Sequence, residues 1–145
     1  MSKQTVLASL AAVALAIFPG FFVGELVAGI YSYLMGHFAA AAPYMVRAIL
    51  ILWLAGLIAG LIIGHLAIAP ARYLFKSANI MVAAHCVAVL AVAVGAVWIY
   101  LVVTADNPYI DPAPLAARSL GVILAAYQAA RAPKGEGSTS RGASS

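Results

Sequence analysis

From Tyr44 to Ala69 the chain is apolar almost without break, with Arg47 near its start and His65 near its end. That length narrows the fold more than any other feature. A strand rarely exceeds about 10 residues, whereas roughly 20 apolar residues in helical form cross the hydrocarbon core of a bilayer. Backbone groups surrounded by hydrocarbon must bond within their own segment or within a closed barrel. Three further runs, about residues 5–36, 78–104 and 113–130, have the same character. With 66% hydrophobic residues, 8% charged residues and a mean hydropathy of +1.05, the chain has too few charges to cover a water-facing surface. The expectation is an all-α polytopic membrane protein. It has four transmembrane helices in a compact bundle over residues 1–131 and a Gly/Ser-rich disordered tail over 132–145.

Proline marks the joints. Pro43, Pro70, Pro108, Pro112, Pro114 and Pro133 fall at or near the expected boundaries, where a missing N–H costs little. Pro19 is the one proline expected inside a helix, as a kink in the first segment. Asp111 and Pro112 read as a cap and first turn for the fourth helix, and Ser77 as a cap for the third. The fourth segment is the shortest and contains Arg118 and Gln128, so the alternative is a helix lying on the membrane surface. Its polar residues do not gather on one face, which favours spanning. The first 18 residues also resemble a secretory signal, but the apolar run continues through Phe22 and no cleavage is expected.

Basic residues set the expected orientation. With four spans, Lys3, Arg72, Lys76, Arg131, Lys134 and Arg141 share one side, leaving Arg47 and Arg118 at helix entrances on the other. The positive-inside rule then places both termini in the cytoplasm of a cell with an inner (plasma) membrane. Tyr31, Tyr33, Phe38, Tyr44, Trp98, Tyr100 and Tyr109 map near the outer interface; Tyr73, Phe75 and Tyr127 map near the inner one, as an aromatic belt requires.

The motif AGLIAGLIIGH sets Gly56, Gly60 and Gly64 four residues apart inside the second run. In lipid, helices associate through close packing, and small residues permit it. The first run repeats the spacing from Ala8 to Gly36 through Gly20 and Gly24, and the fourth from Ala113 to Ala129 through Gly121. Such faces serve contacts within the chain or with another subunit.

Chemistry-bearing side chains are few. Glu25 is the only acid in an expected span, and an ionisable group there is a functional candidate by default. It pairs structurally with Arg118 or Arg47, handles protons or ions, or makes an interfacial or lipid contact. His65 and His85 reach similar depths and are weak candidates to hold a haem or metal between helices, against a plainer reading as packing or interfacial histidines. The single cysteine, Cys86, excludes an intrachain disulfide and a thiolate zinc cluster. Nothing matches a phosphate loop, a nucleophile elbow or a zinc-protease motif, so an enzyme is not favoured. The net charge of +4 is too scattered for a nucleic-acid surface. Three functions compete: a structural or accessory subunit binding other membrane-protein subunits or itself, a small proton- or ion-coupled transporter or channel oligomer using Glu25, and a haem- or metal-binding electron carrier.

Overall fold

The computed structural model describes residues 2–105 and 111–132. They form helices and no strand: α1 Lys3–Phe38, α2 Tyr44–Leu74, α3 Ile80–Thr104 and α4 Ala113–Arg131. Three of these, α1, α2 and α3, are long and apolar enough to cross a membrane. With 36, 31 and 25 residues, they extend about 54, 46 and 37 Å at 1.5 Å per residue, more than the roughly 30 Å core requires. Asp106, Tyr109 and residues 133–145 of the expected tail, Lys134 and Arg141 among them, lie outside the described residues.

The helices alternate in direction. Gly24 of α1 lies against the Ala59 carbonyl of α2, while Tyr31 donates to the Leu50 carbonyl at 2.8 Å, so these two helices are antiparallel. At the amino-terminal end, the Asn79 N–H donates to Thr5 Oγ1 at 3.1 Å, and Ser77 donates to Gln4. The starts of α1 and α3 therefore lie side by side. Gly56, Gly60 and Gly64 of α2 sit on Pro114, Arg118 and Val122 of α4 in the same order, which makes α2 and α4 parallel. The core between them is built from small residues. Ala8, Ala12, Ala59, Ala67, Ala71, Ala83, Ala84 and Ala126 are fully shut off, and Ile68 and Val87 are the largest side chains so enclosed. Backbone proximity, more than interdigitated large side chains, holds this bundle.

Several boundaries differ from expectation. The second helix was expected to stop at Ala69 before Pro70, but it continues to Leu74 with Pro70 inside it. Proline removes one ladder bond, and packing across α4 offsets that loss: Ala71 is fully buried, and Arg72 Nη1 donates to the Ala129 carbonyl at 3.0 Å. Pro19 is thus not the only proline inside a helix. It sits in a π turn, Ala16–Gly20, closed by the Phe21 N–H on the Ala16 carbonyl. Such widened turns accommodate a residue that cannot complete the regular ladder. A second π turn, Ile49–Trp53, has no proline to announce it. Hydroxyls of α1 bond its carbonyls, Tyr31 to Leu50 at 2.8 Å and Ser32 to Ile51 at 3.4 Å. Ser77 does not cap α3; Asn79 does, accepting from the Met81 N–H. At the start of α4 the cap position is Pro112, one residue after the expected Asp111, whose Oδ1 accepts from the Ala113 N–H at 2.9 Å.

Candidate functional site

The glycine motif determines where the charges end up. A Cβ on Gly56, Gly60 or Gly64 would collide with the carbonyl oxygens of Pro114, Arg118 and Val122, and one on Gly121 with the Leu57 carbonyl and the Leu61 N–H. The α2 and α4 backbones are therefore in contact along their common length. Contacts of this kind admit Cα–H···O=C bonds, each worth about 0.5–1 kcal/mol. They also fix the level of α4. Its first turn is beside Gly56, well down α2, where Trp53 Nε1 donates to Asp111 Oδ2 at 2.9 Å.

Arg118 is in the second turn of α4, yet it is level with the middle of α2. Its carbonyl is on Gly60, which is about 24 Å along α2 from Tyr44 and about 21 Å from Leu74. On the α3 side, Ser119 Oγ donates to the Ala91 carbonyl at 3.1 Å, near the middle of that helix. Gly95 makes room for the hydroxyl, because a Cβ there would strike Ser119 Oγ. On α1, Gly24 is level with Ala59. Glu25, Ala59, Gly60, Ala91 and Arg118 therefore form one layer across the four helices at mid-height.

In that layer Arg118 Nη2 meets Glu25 Oε1 at 2.7 Å. The side chains are 30% and 39% exposed for Arg118 and Glu25, so the pair is neither sealed nor fully open. The contact is Coulombic rather than an aligned hydrogen bond: Glu25 Oε1 and Arg118 Nε are both shut off from solvent without a hydrogen-bond partner. Arg47 does not join them; its Nη1 reaches the Ala40 carbonyl at 3.4 Å. The structure thus brings together Glu25 and one of the two arginines proposed for it.

Beside the pair is a cavity of about 700 Å³. Ile17 and Phe21 of α1, Leu90, Val94 and Trp98 of α3, and Leu115 of α4 form much of its wall, with Arg118 and Ser119 on one side. Sequence reasoning missed it. Its residues look like ordinary lipid-facing apolar positions, and only the depth of α4 turns them toward one another.

The histidines are dispersed. His65 is exposed and borders a groove with Ala125 and Gln128, whereas His85 packs edge-on against Tyr127 with ring centroids 5.2 Å apart. Both are beside the same turn of α4, residues 125–128, but against different side chains. His85 Nδ1 is already within 2.6 Å of the Met81 carbonyl, and His37 Nδ1 is 3.0 Å from the Tyr33 carbonyl. Among the described residues no three His, Cys, Asp or Glu side chains converge on a point where a metal would sit. Gly20 and Gly24 face Ile63 and Ala59 of α2, so the named packing glycines are all in contacts within the chain, while Gly29 and Gly36 have open space beside them. No protein-family model, curated protein or solved structure matches the chain.

Proposed function

We propose that the chain is a small membrane transporter unit coupled to protons or ions, with four spans and both termini cytoplasmic, and with the Glu25–Arg118 pair at its working centre. The observation that carries this reading is the pair's place at mid-height of the long helices, partly open, with Arg118 in the wall of a cavity. Charges at that depth are costly unless they have a task. At 30% and 39% exposure the two side chains are accessible to an incoming proton or ion, which supports this reading. Gly20, Gly24, Gly56, Gly60, Gly64 and Gly121, which could serve another subunit, are in contacts within the chain.

An accessory or self-associating role keeps one specific observation. Gly29 and Gly36, near the exposed Tyr33 on the distal part of α1, are small positions with nothing beside them. They fit a second apolar helix.

Proteoliposomes loaded with a pH-sensitive dye test the proposal. Under an imposed potential, the wild type conducts or exchanges protons and Glu25→Gln does not, while reconstituting to the same level. Equal flux in both overturns the transport reading. A stable complex with a different membrane protein in gentle extracts, together with equal flux, supports the accessory role.

A further inference from the structure

We propose that the cavity between α1, α3 and α4 takes the tail of a single-chain lipophilic carboxylic acid from the bilayer and that Arg118 receives its head. This rests on the transport reading and names its substrate class. Small-molecule pockets usually enclose about 300–1,000 Å³, and this one, at about 700 Å³, falls within that range. Its wall is largely aliphatic and aromatic, suited to a hydrocarbon tail, which gains contacts on entering it.

The head is specified by what Arg118 lacks. A guanidinium offers five donors in a fork suited to the two oxygens of a carboxyl group. Nη2 is directed to Glu25, but Nε is buried, lies on a residue of the cavity wall and has no acceptor. A carboxyl oxygen brought to Nε would complete the fork. An amine would meet the same cation and be repelled, and an alkane would leave Nε unsatisfied.

Charge balance then fixes the form in which the ligand resides. Arg118 is the only charged side chain in the wall, and Glu25 is its only ion-pair partner among the described residues. Nearby, α3 contributes the Trp98 indole, α4 the Ser119 hydroxyl, and α2 only Ile63. One positive charge balances one carboxylate. A second carboxylate would leave one negative charge unbalanced, so an acid enters with a proton or displaces Glu25 from the guanidinium. Glu25 and the ligand are then alternatives for the same guanidinium, which is how substrate and proton movement become linked.

The test uses the full chain in lipid nanodiscs. In a Trp53→Phe background Trp98 is the remaining tryptophan and reports on its own cavity. Brominated stearic acid quenches Trp98 saturably; palmitic acid competes and hexadecylamine does not. Val94→Phe fills the cavity and weakens binding roughly tenfold or more, and Glu25→Gln frees the guanidinium and tightens it by a similar factor. Glu25→Gln/Arg118→Gln removes the preference for acid over amine. Non-saturable quenching, equal competition by the amine, or unchanged binding in Val94→Phe overturns the proposal. Saturable acid binding without Glu25-dependent proton flux keeps the site and rejects transport. Glu25-dependent flux without acid binding keeps transport and rejects this substrate class.

Discussion

Gly60 and Arg118 are joined through the backbone: the Arg118 carbonyl oxygen occupies the space a Gly60 side chain would need. The same residue sends its guanidinium to Glu25 on the other side. Packing and charge placement are therefore one problem in this fold. The glycine stripe draws α4 against α2, and that contact sets Arg118 at the level of Glu25. Gly60→Leu should accordingly damage more than a helix contact. It forces the helices apart, at a cost on the order of 1–3 kcal/mol for overpacking alone, and it should also separate the ion pair. Gly29→Leu, with open space, should be nearly neutral. Denaturant unfolding of the two variants in detergent checks the contrast; similar losses would mean that the stripe does not set the bundle.

A double-mutant cycle on Glu25 and Arg118 should show coupling. Removing one partner of a buried pair typically costs 3–5 kcal/mol. Partial exposure of both side chains brings the expectation here to about 1–3 kcal/mol for Glu25→Gln or Arg118→Gln. The double variant, with neither charge left alone, should recover most of the loss. Additive losses would place the two groups in separate environments.

The π turn of α2 makes a smaller, local prediction. Tyr31 donates to a carbonyl, Leu50, that lies inside that turn. Tyr31→Phe should lower stability by about 1 kcal/mol, the usual net worth of such a bond, and should speed amide hydrogen exchange around Ile49–Leu54. Ser32→Ala, whose contact is long at 3.4 Å, should change little. Matched effects in the two variants would remove the hydroxyls as the reason the turn persists.

The parts of this fold legible in the sequence are those set by local rules. Apolar run length gave the helices, and the four-residue glycine spacing marked faces that do meet other helices. Glu25 and Arg118 were identifiable because charge is rare in such runs. What stayed hidden depends on register between distant segments. Nothing near Arg118 reveals that α4 starts beside Gly56; that follows from the contact of two backbones and from Asp111 bonding Trp53 far away in the chain. Pro70 misled because its local cost is real but is outweighed by the buried Ala71 and the Arg72–Ala129 bond. The cavity could not be foreseen for the same reason as the depth of Arg118.

Orientation is open to direct measurement, and the antiparallel order of the helices makes the outcome sharp. Ser2 and Ser77 are at one end of the bundle, with Thr5 and Asn79 bonded between them, and the Ala39–Pro43 joint is at the other. In a Cys86→Ala background, single cysteines at Ser2, Ser77 and Ala41 report both ends. If Lys3, Arg72 and Lys76 hold their end in the cytoplasm, a membrane-impermeant maleimide added to intact cells should label Ala41→Cys and leave the other two until the cells are opened. Labelling of Ser2→Cys and Ser77→Cys alone would invert the protein in the membrane. The Glu25–Arg118 layer would stay at mid-height, but the face from which its cavity is reached would be reversed.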